Sequence, residues 1–203
     1  MSELLIYLSG SIQKGATDSR DSLWADSDLA EIKAGLPDFD VMFLNPANRS
    51  DDLSDYRGTF GRDLFQVTSA DLVWVDARDR RGLGVGAEMA VAKQHSIPVI
   101  SLCPRDSHYH RVDFTFMGQP LAEWIHPFVF GYSDVLVPDI ASGCGWIRSA
   151  LGKDLVHGRV QGPETVALAV RHYLDQQLAR DVEMRAIIDG SPRLTERIRG
   201  WIA

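Results

Sequence analysis

The chain has 203 residues, enough for one domain with a short added arm, and is 45% hydrophobic and 24% charged, an ordinary globular balance. Its 28 acidic residues outnumber 21 basic ones for a net charge of -7, which argues against gripping a nucleic acid polymer. No apolar run approaches a membrane span, and the two cysteines, Cys103 and Cys144, give little support to a disulfide scaffold or zinc site.

The opening MSELLIYLSGS has no basic segment before its apolar run. It reads as a first strand rather than a secretory signal, with a cytoplasmic location expected. LLIYLSGS suits a buried parallel strand ending in a loop. A helix over SLWADSDLAEIKAG, closed by Gly35, follows. DVMFLNP, Asp40 to Pro46, is a second strand stopped by Asn45-Pro46. TFGRDLFQVTSA is helical, DLVWVDA (Asp71 to Ala77) is a third strand, GAEMAVAKQHS is helical again, and IPVISLCP (Ile97 to Pro104) is a fourth strand.

After Pro104 the pattern loosens into aromatics and histidines without clear periodicity, with room for a fifth strand in FVFGYSDVLVP. ASGCGWIRSALG and PETVALAVRHYLDQQLARD read as helices, the second with Val166, Ala169, Val170, Tyr173 and Leu174 spaced to pack on the sheet. A weakly amphipathic helix is expected around LTERIRGWIA. Strands alternating with helices predict an α/β fold: a doubly wound, flavodoxin-like parallel sheet of about five strands over residues 1–178, with a helical extension over 179–203. Ligands of such sheets gather at the carboxyl ends of the strands, which places Gly10, Ser11, Asn45, Asp76 and the glycine turn on one edge.

Within that turn, GLGVGAEMAVAK sets Gly82, Gly84 and Gly86 before Glu88. A glycine turn feeding a helix ordinarily cradles phosphate on free N–H groups, and a carboxylate in the first turn repels that ligand. Either the acid is the reagent or the turn is only a turn. A dinucleotide site fits poorly, because it needs G-x-G-x-x-G directly after the first strand, where this chain has SGSIQKG. The preceding RDRR, Arg78 to Arg81, is either a solvated loop or an anion clamp. His108 and His110 lack a carboxylate at metal-binding spacing. No metal and no cofactor are expected.

Three separated elements resemble one superfamily: IYLSGSIQKG (Ile6 to Gly15), GRDLFQVTSADLVWVDA (Gly61 to Ala77) and GLGVGAEMAVA. They are similar, in order and spacing, to the nucleoside 2-deoxyribosyltransferases and their relatives, the 2'-deoxynucleoside 5'-monophosphate N-glycosidases and the CMP and hydroxymethyl-CMP hydrolases. The resemblance covers roughly residues 4 to 104 and is absent from the tail.

The resemblance implies cleavage of the N-glycosidic bond of a nucleoside or its 5'-monophosphate through a covalent glycosyl-Glu88 intermediate, with hydrolysis favoured slightly over base exchange. It implies that Tyr7 orients the glutamate, although a strand tyrosine is equally at home in a core. It implies that Asp63 supports proton transfer to the base, against the alternative of a surface acid on a helix. Gly10, Ser11, Ile12, Gly82, Gly84 and Gly86 are expected to line the substrate site, with Asp76 toward a sugar hydroxyl and Asn45 either on the base or capping its turn. Family members commonly form homodimers or larger assemblies in which a neighbouring subunit completes the pocket, and His126 is the polar candidate for that part.

Two departures bear on substrate. The nucleotide hydrolases carry an arginine where this chain has Gln13 and a phosphate-binding serine where it has Gly82, while the transferases have an aspartate at the Gly82 position. Ser11, Lys14, Arg80 and Arg81 remain as alternative phosphate ligands. A different class of function, a catalytically silent nucleotide-binding or sensing module on the same fold, is compatible with those departures.

Overall fold

A computed structural model describes residues 2–10, 24–151 and 161–202. Five parallel strands form the central sheet: β1 (Ser2–Ser9), β2 (Phe39–Leu44), β3 (Leu72–Asp76), β4 (Val99–Leu102) and, after an inserted hairpin, β7 (Val135–Val137). Their order, β2-β1-β3-β4-β7, is the flavodoxin-like doubly wound order expected from the alternation of elements. The order reverses at β1, which puts the switch-point crevice between the carboxyl ends of β1 and β3.

Alternation along the strands makes two cores. Leu4, Ile6 and Leu8 of β1, with Leu72, Trp74 and Ile100, pack against α1 (Asp26–Gly35) and α5 (Ile140–Leu151) through Ile32, Leu36, Cys144 and Ile147. Tyr7, Val73, Val75 and Val99 point the other way and meet α2 (Tyr56–Ser69), α3 (Leu83–Gln94) and α4 (Pro127–Tyr132) through Val67, Val85, Met89, Ala92 and Val129. α5 crosses the sheet closely enough that a methyl group on Gly143 would overlap the Trp74 ring.

Helix starts differ from the sequence expectation where a polar cap wins. α1 begins only at Asp26, where Asp28 accepts the Ala25 N–H at 3.1 Å. α2 begins earlier than expected because Asp55 accepts the N–H groups of Arg57 and Gly58 at 3.1 and 2.9 Å. α3 begins at Leu83 with Gly82 as N-cap, so Gly84 and Gly86 lie inside the helix rather than in a turn before it.

The loosely patterned stretch after Pro104 is an antiparallel hairpin, β5 (His110–Phe116) and β6 (Gln119–Ile125). Its two-residue turn, Met117 and Gly118, has φ of 48° and 82°. A primed turn of this kind matches strand twist and favours glycine at its second position. Between α4 and β7, the buried Asp134 pairs with the buried Lys93 of α3 and accepts the N–H groups of Val99 and Gln161, each at 2.6 Å.

Contacts divide the chain into compact units at residues 1–162 and 163–203, so α6 (Thr165–Gln176) belongs with the C-terminal helices. That second unit continues through a 3-10 turn (Leu178–Arg180), α7 (Val182–Asp189) and α8 (Pro192–Ile202). α7 lay outside the expected helices. Asp181 makes it, accepting the Met184 N–H at 2.9 Å and the Tyr173 hydroxyl at 2.7 Å. Neither α6 nor α7 buries a side chain. Among the described residues no helix is long and apolar enough to cross a membrane.

Candidate active site

The carboxyl end of β1 and the first half of α3 meet at one carboxylate. Ser9, fully buried as the last residue of β1, donates its hydroxyl to Glu88 Oε2 at 2.5 Å. Two residues earlier on the strand Tyr7 is also fully buried and makes no hydrogen bond of ordinary geometry. Its hydroxyl faces Glu88 closely enough for each group to perturb the other's ionisation. Asp63, from α2, adds its charge to both. Tyr7, Asp63 and Glu88, far apart in the chain, thus share one site.

Glu88 is the sixth residue of α3 and no acid lies in its first turn, so the helix N-terminus does not hold the carboxylate directly. Burial pushes the Glu88 carboxyl up, the Ser9 and Tyr7 hydroxyls oppose that rise, and the negative charge of Asp63 adds to it. Tyr7 is pushed far above the ordinary tyrosine range, first by burial and then by the Glu88 charge. Its hydroxyl therefore keeps its proton at any working pH and is available as a donor.

Asp63 is anchored by two guanidinium groups. Arg49 and Arg62 each come within 3.4 Å of its Oδ1. Arg49 also pairs with Asp51 at 2.7 Å, which holds the Asp51 carboxyl at about 2, while Arg62 donates to the Asn48 carbonyl at 2.6 Å. Asn48, Arg49, Ser50, Asp51 and Arg62 line an open polar cavity of about 530 Å³.

The three glycines of the turn separate. A Cβ on Gly84 would lie 3.9 Å from Glu88 Oε1, with nothing else nearby, so this glycine leaves space over the carboxylate. Gly82 and Gly86 fall on another face of α3 and line a largely apolar cavity of about 440 Å³ with Tyr109, His126, Phe128 and Tyr132. Glu88, Ser9, Tyr7 and Asp63 are not among the residues lining that cavity. Within one chain His126 therefore stands apart from the carboxylates. Its ring meets Tyr109 and Trp124 edge-on at 5.3 and 5.8 Å, and burial lowers its pKa.

Other residues singled out in the sequence have structural duties. Asp76 is fully buried and paired with Arg78 at 2.9 Å and with Arg81 at 2.7 Å. Arg78 reaches on to Asp28 at 2.7 Å. Two arginines of RDRR, Arg78 and Arg81, thus clamp the protein's own carboxylates, while Asp79 and Arg80 between them are exposed. The Asn45 side chain accepts the Ala47 N–H at 2.9 Å and makes a turn. Gly10 packs beneath the Trp24 indole. Ser11 and Ile12, with Gln13 and Lys14, lie outside the described residues. Among those described, no group of three metal-ligating side chains converges.

Sequence reasoning missed Ser9, Arg49 and Arg62. Ser9 had a legible signal, a small hydroxyl at the end of a buried strand directly before Gly10. The arginines had none, because their partners come from a loop and a helix whose contact is fixed only by the fold.

No family model matches the chain, and no curated protein matches it. Among solved structures, it is similar to the 2-deoxyribosyltransferase of the psychrotolerant bacterium Bacillus psychrosaccharolyticus, at 14% identity and a TM-score of 0.38, over 60% of this chain and 99% of that one.

Proposed function

We propose that this protein breaks the N-glycosidic bond of a nucleoside or nucleoside 5'-monophosphate, with Glu88 as nucleophile. The observation that carries the reading is the Glu88 carboxylate: half-buried, bonded by Ser9 on Oε2, faced by the Tyr7 hydroxyl, and with the bare Cα of Gly84 beside Oε1. A structural glutamate has no need of that arrangement. A nucleophile does, because it must be oriented, partly desolvated and open to an approaching carbon.

In this reading Oε1 attacks C1' of the sugar. The C1'–O bond forms as the C1'–N bond breaks, and the departing base takes the electron pair and a proton. The Tyr7 hydroxyl and Ser9 hold the carboxylate in line. Asp63 is fixed by Arg49 and Arg62, which line the polar cavity that we take as the seat of the base, and supports delivery of the proton. Water then attacks C1' of the ester, releasing the free sugar and restoring the carboxylate; attack by a second base instead yields a new nucleoside. Hydrolysis is the favoured outcome.

The partition is tested by supplying a nucleoside with and without a second free base and separating the products. Free sugar at an undiminished rate is expected. A new nucleoside as the main product would make the protein a transferase. Ligand binding with no base release would instead support the silent binding module.

We also propose a homodimer. Leu83, Phe128 and Phe130 are 93%, 66% and 63% exposed, and Leu83 and Phe128 border the apolar cavity beside the α3 small-residue face. Exposed apolar residues grouped in this way mark association surfaces. Light scattering should give twice the 22.6 kDa chain mass, falling to one chain mass in the double variant Leu83→Lys, Phe128→Glu. A wild-type mass of one chain would contradict the proposal.

A further inference from the structure

The end of β1 is held from two sides. On one, Ser9 Oγ donates to Glu88 Oε2 at 2.5 Å. On the other, the Ser9 carbonyl accepts the indole N–H of Trp24 at 3.2 Å. The indole is itself fixed: it meets the Trp74 ring edge-on at 6.1 Å, and the Arg78 guanidinium lies 5.5 Å over its face. Arg78 is in turn forked between Asp76 and Asp28. Gly10 completes the fit, since a Cβ there would come within 3.4 Å of the indole ring.

We propose that Trp24 is a positioning residue for Glu88, acting through Ser9. A hydroxyl on a strand end can aim at a carboxylate only as precisely as the peptide that carries it, and the indole N–H fixes that peptide. The Arg78 fork then has a purpose beyond neutralising Asp76: it keeps the indole in place over Gly10. The catalytic consequence rests on the reading of Glu88 as nucleophile; the coupling of Trp24 to the carboxylate does not.

Among the described residues, the charged and titratable groups that face Glu88 are Tyr7 from β1 and Asp63 from α2, the latter paired with Arg49 and Arg62. Those around Trp24 are Arg78, Asp28 and Asp76. Trp24→Phe changes none of them, keeps a ring for Trp74 and Arg78, and deletes the donor.

The test is a titration of the Glu88 carboxyl by carbon NMR, assigned against Glu88→Gln, together with the acid limb of the pH–rate profile. Ser9→Ala should raise the Glu88 midpoint by about one pH unit, the size expected for one lost hydrogen bond to a charged group. Trp24→Phe should raise it by about half as much. In the Ser9→Ala background Trp24→Phe should add no further shift, because Trp24 acts through the hydroxyl already removed. Trp24→Tyr, which also lacks the indole N–H, serves if the phenylalanine variant does not fold. An unshifted Glu88 in both ring variants, or shifts that add fully in the double variant, would overturn the proposal. So would activity lost equally at every pH, which is the mark of general loosening. The predicted NMR shifts in a protein that releases no base would leave the positioning intact and remove the glycosidase reading.

Discussion

Glu88→Gln is expected to lower base release by about 10⁴-fold or more, the scale on which loss of a nucleophile is felt, while the fold persists. The substitution is nearly isosteric. The amide can still accept from Ser9, but it cannot form the ester. Stability should move the other way. The folded pKa of Glu88 stands above its unfolded value, so the stability tied to protonation is fully present below the unfolded pKa and is lost as pH rises through the raised folded value. Glutamine carries no such loss. The melting temperature of Glu88→Gln should therefore equal that of the wild type in acid and exceed it at pH 8, the usual trade between a strained site and its function. A variant that melts lower than the wild type at both pH values would mean that the carboxylate is structural.

Asp134→Ala should be the most destabilising single substitution away from the site, at about 3–5 kcal/mol. Its side chain is fully buried, balances the buried Lys93 ammonium and accepts the Val99 and Gln161 N–H groups. Removing it takes a counter-charge from a cation that stays inside and leaves two donors without this acceptor. Lys93→Met should cost less, because Asp134 keeps both N–H donors and methionine fills much of the same volume. Chemical denaturation of the two variants checks this. Equal losses would show that the ion pair, rather than the backbone bonds to Asp134, sets the cost.

The sheet was readable because its signal is local. Each of β1 to β4 is a short apolar run bounded by Gly, Asn, Asp or Pro, and the alternation with helices fixes the parallel layout. The hairpin was not readable, because its half-exposed strands mix aromatic, histidine and charged residues on both faces and its turn is a bare Met117-Gly118. Tyr7, Asp63 and Glu88 could be named from motif resemblance, and the fold brings them together. Their environment could not be named. Glu88 reads in the sequence as a first-turn acid, but Gly84 and Gly86 lie within α3 and carry it into the second turn. Burial and hydroxyl groups then take the place of free N–H groups. Asp76 is a different case: an acid at a strand end reads as a ligand, and RDRR follows it closely enough to fold back and pair with it. Sequence spacing shows proximity to an edge, and only packing decides which groups are already taken.

The most direct test of the central claim is base release, followed by chromatography, from a panel of ribo- and deoxyribonucleosides and their 5'-monophosphates, with wild type and Glu88→Gln side by side. The account predicts release from at least one member by the wild type and about 10⁴-fold less by the variant. Release that survives in Glu88→Gln, or none from any member of the panel, would contradict it.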